Sequence, residues 1–155
     1  MGLMLHCGAD LTSLSDVAKV ELPDATSTWQ PISHTHLIDL TKRKLAAGGY
    51  TIKAEAHALR NGSYMPEATT DGFEGYSAKG AHYFGLMTLK APGPEKEDAD
   101  YSLTMGLRNA LDQAFKASVA LGANCFVCDN MCFSGEIVLG RKHTSNIRRD
   151  LPRLV

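Results

Sequence analysis

Five polar side chains between residues 108 and 143 have the chemistry of a binding or catalytic site. They are one arginine, two asparagines, one aspartate and one histidine: Arg108, Asn109, Asp112, Asn130 and His143. Each lies near the predicted end of a strand or the start of a helix, where functional side chains are often placed. A structural interpretation competes, because Asn109 and Asp112 suit a helix cap and Asn130 suits a turn. Both interpretations stay open, and spacing alone assigns no catalytic residue.

A second group of candidate residues lies at the C-terminal end of the sequence. Residues 141–155 carry five basic side chains and one acidic one, a local charge of +4 in a chain whose net charge is −1. A basic end on an acidic body is typical of contact with phosphates or an acidic partner. The candidate nucleic-acid contacts are Arg141, Lys142, Arg148 and Arg149. The alternative is that this end is only a solvated terminal segment.

Cysteines and histidines raise the question of a metal site. The four cysteines are Cys7, Cys125, Cys128 and Cys132, and no secretory signal precedes them, so disulfides are not expected. The spacing of Cys125 and Cys128 is that of a zinc knuckle, but Cys125-Phe-Val-Cys128 indicates a strand with its two thiols on opposite faces. No two histidines have the i, i+4 spacing of a helical zinc site. We therefore predict structural cysteines, with no metal and no cofactor.

The first half of the chain indicates two helices and a strand. Ser13 suits the cap of a short helix within residues 12–20, and Ser33 precedes a longer helical stretch that ends at Gly48-Gly49. Apolar and polar residues then alternate through residues 50–58, which predicts a half-buried strand. Asn61-Gly62 is typical of a turn.

The second half indicates strands around one further helix. Residues 82–90 and 101–107 predict two antiparallel strands, and residues 109–121 have helical spacing with Gly122 as the stop. Short strands are expected at residues 125–128 and 133–139. The order predicts one α+β domain over residues 1–155, with a mainly antiparallel sheet and two principal helices packed on one face. No apolar run reaches the length of a membrane span, so we expect a cytoplasmic protein without a membrane partner.

Several motifs occur in an order that resembles a known family. They include His6-Cys-Gly8, Trp29-x-Pro31, Gly106-Leu-Arg-Asn109, Phe126-Val-Cys128 and Arg141-Lys-His-Thr144. In this order they resemble the domain of unknown function family 932 of phages, prophages and plasmids. The resemblance implies a mobile-element accessory protein of the bacterial host cytoplasm, with no established reaction. Two departures matter: Ala110-Leu111 stands where members usually have Ser-His, and the chain stops at Val155 where members continue, so a short or truncated member is expected.

Three functions compete at this point. The order of predicted elements is similar to the core of ring-forming single-strand annealing proteins of the Rad52 type, which favours non-enzymatic binding or annealing of single-stranded DNA by a homo-oligomer. One alternative is a protein-interaction module that inhibits a host defence system through acidic residues Glu95, Glu97, Asp98 and Asp100. The other is a small-molecule or nucleotide-binding enzyme that uses the polar set from Arg108 to His143. We favour the first, so no enzymatic activity is expected.

Overall fold

A six-stranded antiparallel sheet forms the centre of the protein. The computed structural model describes residues 3–62, 79–93, 103–123, 125–129 and 133–154. The sheet has the order β1-β2-β3-β4-β5-β8, and a separate two-stranded sheet pairs β6 with β7. The strands are β1 (Asp10–Thr12), β2 (Thr51–Arg60), β3 (His82–Lys90), β4 (Leu103–Ala110), β5 (Ala117–Gly122), β6 (Phe126–Val127), β7 (Phe133–Ser134) and β8 (Ile137–Arg141). The predicted α+β class with a mainly antiparallel sheet is confirmed.

Both predicted helix starts in the first half are confirmed. The helices are α1 (Leu14–Val17), α2 (His34–Ala47) and α3 (Ile147–Asp150), the last followed by a 3-10 turn over Leu151–Arg153. The Ser13 hydroxyl accepts a hydrogen bond from the Asp16 N–H at 3.1 Å, and the Ser33 hydroxyl accepts one from the His36 N–H at 3.1 Å. Each cap satisfies a backbone donor that the first helical turn leaves unpaired. Gly48 ends α2, as the sequence predicts.

The helix predicted over residues 109–121 is wrong. Strand β4 pairs with β3 as far as Ala110, residues 111–116 form a turn, and β5 pairs with both β4 and β8. Five of the six residues of β5 are buried, because the strand has neighbours on both edges and is covered on both faces. A strand in this position loses the polar–apolar alternation that marks a half-buried strand. Within the described ranges, α2 is the only helix longer than four residues, so the two-helix layer is not formed.

The two faces of the sheet carry different layers. On one face Tyr83 and Leu107 pack with Leu37 of α2 and with Ile147 and Leu151 of the C-terminal segment. The opposite face is covered by a smaller cluster around the β6–β7 sheet and the N-terminal segment: Ala9, Ala58, Phe84, Leu86, Ala120, Cys125 and Val127. Burial of Ile147, Leu151 and Leu154 shows that the basic C-terminal segment is packed on the core rather than fully solvated.

In the part of the chain that the structure describes, no helix combines the length and the apolar character needed to cross a bilayer.

Candidate functional site

The strand order brings scattered basic residues to one end of the sheet. The end of β2 meets the start of β3 at the pair Arg60 and His82, and the end of β8 meets the start of β5 at Arg141 and Ala117. Antiparallel pairing therefore gathers residues that are up to 82 positions apart in the sequence. We call this the basic end, defined by Arg60, Arg108, Lys116, Arg141 and Lys142. Clustered cations of this kind raise the local concentration of anionic ligands.

A cavity of about 630 Å³ opens at the basic end, and we call it the Trp29 cavity. Its size falls within the range of about 300–1,000 Å³ that is usual for ligand sites. The lining comes from the connector before α2, from β4, from the turn after β4 and from the segment after β8: Thr28, Trp29, Arg108, Gln113, Ala114, Phe115, Lys116, Lys142, His143 and Thr144. Three of these described residues are basic and none is acidic, so the cavity suits an anion.

Aromatic rings hold the guanidinium of Arg108 in place. The guanidinium carbon lies 5.3 Å from the ring centroid of Phe115 and 4.7 Å from that of Phe133. Burial lowers the pKa of Arg108, although arginine keeps its charge at physiological pH. Contact with two ring faces stabilises the cation and limits its motion. A restrained guanidinium loses less conformational freedom when it binds a phosphate or carboxylate.

His143 contributes a neutral imidazole to the cavity. Its ring lies nearly parallel to that of Trp29, with an interplanar angle of 15° and a centroid distance of 6.3 Å. Burial lowers the pKa of His143 to about 4, so the ring is uncharged near pH 7. Neither ring nitrogen has a hydrogen-bond partner within the described residues. A buried polar atom without a partner is costly, and a ligand group that bonds to the imidazole would remove that cost.

Asp112 is part of a buried chain of hydrogen bonds beside the cavity. The Nε2–H of His82 donates to the Asp112 carboxylate at 2.7 Å, and the His82 Nδ1 accepts from the Arg60 Nη2 at 2.9 Å. Because Nδ1 accepts, the ring proton of the neutral form is on Nε2. Burial raises the pKa of Asp112, but hydrogen bonds from His82 and from the Ala114 N–H outweigh it and leave that pKa below its usual value. The carboxylate therefore ties the turn after β4 to β3.

Asn109 lies on the other face of the sheet, away from the cavity. Its amide nitrogen donates to the Ile32 carbonyl at 2.8 Å and to the His34 Nδ1 at 3.0 Å. The His34 Nε2–H in turn donates to the Gly80 carbonyl at 2.9 Å. Both side chains are buried, and burial lowers the pKa of His34 to about 4. Asn109 thus joins β4 to the start of α2 and caps no helix.

The predicted site residues separate into three groups. Arg108, Lys142 and His143 line the Trp29 cavity, and Arg141 is exposed at the same end of the sheet. Asn109 and Asp112 are buried and make internal hydrogen bonds. Exposed Arg148 and Arg149 lie on α3, where the Arg149 Nε pairs with Asp150 at 3.1 Å. Asn130 lies outside the described residues, as do Glu95, Glu97, Asp98 and Asp100.

The sequence did not identify Trp29 and Lys116, which are the tryptophan and one of the three basic residues of the cavity. Trp29 is the one tryptophan of the chain and lies in a connector whose position no local pattern predicts. Lys116 falls inside the incorrectly predicted helix, where it would have been an ordinary surface residue. The signal that could have indicated Trp29 is its position between Pro23 and Pro31, in a segment with few other large apolar residues.

No family model, curated protein or solved structure matches this chain. The predicted likeness to Rad52-type annealing proteins has no support from a solved structure, and the helix on which it depended is the strand β5. The geometry of the Trp29 cavity is therefore the feature that indicates a function.

Proposed function

We propose that the protein binds single-stranded nucleic acid through the Trp29 cavity and does so without catalysis. The observation that carries the proposal is the presence of three basic side chains and a tryptophan in one concave site whose described lining has no acidic residue. Single strands offer phosphates and unpaired base faces together, and proteins bind them with cations and aromatic rings.

The phosphate is the first part of the ligand that the cavity fits. Arg108 offers a planar guanidinium restrained by Phe115 and Phe133, which suits bidentate contact with phosphate oxygens. Lys116 and Lys142 are exposed and present flexible ammonium groups at the same cavity. Each phosphate contact releases condensed counterions, so this part of the affinity depends on salt.

The nucleobase is the second part of the ligand that the cavity fits. Trp29 is half-buried and lines the cavity, so part of its ring is available for stacking with a base. The neutral His143 imidazole offers one donor and one acceptor nitrogen for the edge of a base. Arg141 and Arg148 are exposed and do not line the cavity, and we assign them further phosphate contacts outside it.

Fluorescence anisotropy of a labelled single-stranded oligonucleotide tests the proposal. We expect salt-sensitive binding of the wild-type protein at about 50 mM salt, with weaker binding for Lys116→Ala and Lys142→Ala. Each variant should also reduce the slope of log affinity against log salt by about 1. The matched control is Lys53→Ala, an exposed lysine of β2 near the opposite end of the sheet. Absence of binding at low salt, or equal losses in all three variants, would contradict the proposal.

An enzymatic role for the polar set has less support. Of the five predicted residues, Arg108 and His143 line the cavity, whereas Asn109 and Asp112 are used in internal hydrogen bonds. A catalytic acid or base must reach the reacting atom, and neither of these two lines the cavity. The origin in phages, prophages or plasmids is also part of our proposal, and it rests on the order of the motifs that resemble family 932.

We also propose that the protein forms a homo-oligomer, and that two copies associate through β8. This strand is an edge of the sheet, and its residues Ile137, Val138 and Leu139 are 54%, 47% and 43% exposed. An apolar edge strand favours pairing with another strand. We commit to a second copy of this chain as the partner. Antiparallel pairing of two β8 strands about Leu139 would place the acidic Glu136 opposite the partner's Lys142, which is a favourable pair at each end.

A further inference from the structure

A separate cluster of potential metal ligands lies where the N-terminal segment meets β6. His6, Cys128 and Asp129 each offer one ligand atom, and these atoms lie within 4.8 Å of one another. The Cys128 Sγ is 3.8 Å from the His6 Nδ1 and 3.9 Å from the Asp129 Oδ1. The His6 Nδ1 lies 4.0 Å from the Asp129 Oδ1. None of the three residues lines the Trp29 cavity.

These separations are close to those around a tetrahedral ion. Zinc bonds are about 2.3 Å to sulfur and about 2.0–2.2 Å to nitrogen and oxygen, so two ligand atoms on one ion lie roughly 3.4–3.6 Å apart. The separations that involve His6 shorten if its ring turns slightly, and its side chain is 54% exposed and able to do so. We propose that His6, Cys128 and Asp129 bind a divalent ion of the zinc class, with the fourth coordination position open to solvent.

Asp129 is already oriented as a ligand would need to be. Its buried carboxylate accepts hydrogen bonds from the N–H groups of His6 at 3.0 Å, Cys7 at 2.7 Å and Ala9 at 3.0 Å. A carboxylate has about four lone-pair positions, so three such bonds leave one for a metal. The hydrogen bonds alone explain why the N-terminal segment closes over Asp129. They do not explain why an imidazole and a thiol converge beside the same oxygen.

Cys7 lies beside the cluster but is not one of its three converging groups. It follows His6 directly, its side chain is exposed, and its backbone N–H donates to Asp129. The three converging ligand atoms therefore come from His6, Cys128 and Asp129.

The ligand types select the class of ion. A thiolate and an imidazole suit zinc or cobalt, whereas magnesium and calcium prefer oxygen ligands alone. The ion would strengthen an existing junction, in which the Met4 N–H donates to the Val127 carbonyl at 3.1 Å and the Asp129 N–H donates to the Met4 carbonyl at 3.1 Å. Cys125 is not part of the site, because its thiol donates to the Thr104 carbonyl at 3.1 Å in the core.

Titration of the reduced, metal-stripped protein with Co²⁺ tests this proposal. We expect one equivalent to bind, with the visible bands of tetrahedral cobalt and a thiolate-to-cobalt charge-transfer absorption, and we expect Zn²⁺ to displace it. Cys128→Ser should remove the charge-transfer absorption, because Cys128 supplies the one thiolate of the cluster. His6→Gln should weaken Co²⁺ binding at least about tenfold, since even loss of a group that only orients a ligand costs that much.

The controls are a cysteine and a histidine outside the cluster. Cys125→Ser and His36→Gln should leave the cobalt spectrum and affinity unchanged, with circular dichroism confirming that every variant is folded. His6 is exposed, so its variant remains informative even where a change at buried Cys128 disturbs folding. The proposal is overturned by the absence of stoichiometric binding, or by a spectrum and affinity that His6→Gln and Cys128→Ser leave unchanged.

Discussion

Buried histidines dominate the expected response of the protein to acid. Burial lowers the pKa of His34 and of His143 to about 4 in the folded protein, whereas an unfolded histidine has a pKa of about 6.5. The unfolded chain therefore binds more protons between these values. The free energy of unfolding has its full value above about pH 6.5. It decreases as the pH drops toward 4, by up to about 1.4 kcal/mol per pH unit for each histidine.

Urea unfolding between pH 7.5 and 4.5 measures this effect. Replacement of His143 with glutamine should reduce the pH dependence, because it removes one of the buried histidines; burial also lowers the pKa of His57, so part of the dependence remains with His34 and His57. His36→Gln is the control, since His36 is exposed on α2. The carboxylates of Asp112 and Asp129 have pKa values below their usual range, so their contribution is lost only at still lower pH. An unfolding free energy that stays constant from pH 7 to 4.5 would show that the histidines are not buried in this way.

The sequence identifies some residues of the site correctly and assigns others the wrong role, for a physical reason. Arg108, Lys142 and His143 were identified by type, and the strand order brings them to one cavity. The buried roles of Asn109 and Asp112 depend on partners far away in the sequence, Ile32 and His82, which no local pattern reveals. Trp29 is similar, because its place in the cavity depends on the path of the connector before α2, which no local pattern reveals.

At the scale of elements, the turn after β4 decides the shape of the cavity. Asp112 accepts hydrogen bonds from the buried His82 ring and, at 3.1 Å, from the Ala114 N–H. Asp112→Ala leaves the His82 N–H without its acceptor and releases the turn. We expect a loss of about 2–4 kcal/mol in the free energy of unfolding, the sum of a buried unsatisfied donor and a lost charged partner.

Chemical denaturation of Asp112→Ala beside Asp39→Ala measures that loss. Asp39 is exposed on α2, so its replacement controls for removal of a surface carboxylate. We also expect Asp112→Ala to weaken oligonucleotide binding, because Gln113, Phe115 and Lys116 of the same turn line the cavity. Equal stability of the two variants would mean that the bond between Asp112 and His82 contributes nothing measurable.

This turn also shows why the strand β5 escaped prediction. Asn109 and Asp112 carry a true local signal, because Asp112 does bond to a backbone N–H two residues on, but that signal belongs to a turn. Ala117, Ser118 and Ala120 are small residues that suit a helix and also suit a strand covered on both faces. Elements with one exposed face, such as β2 and α2, are predicted correctly because the spacing of their polar residues indicates which side faces solvent.

At the scale of the whole molecule, the two edges of the sheet differ in a way that can be tested. Strand β1 closes one edge with three residues, and β8 leaves five residues at the other. Every strand pair of the main sheet is antiparallel, so pairing of two β8 strands about a two-fold axis continues the existing pattern. Leu139 would then lie beside the partner's Leu139.

Size-exclusion chromatography with light scattering measures the oligomeric state and so tests which edge of the sheet forms the dimer. We expect a dimer of the wild-type protein and a monomer of Leu139→Lys, because two ammonium groups would meet at the axis where two apolar side chains pack. Leu11→Lys is the matched control, since Leu11 is 68% exposed on β1 at the opposite edge, and it should stay dimeric. A wild-type monomer, or a dimer that Leu139→Lys does not disturb, would refute pairing through β8. Dissociation of Leu139→Lys with retained oligonucleotide binding would show that one Trp29 cavity suffices for the ligand.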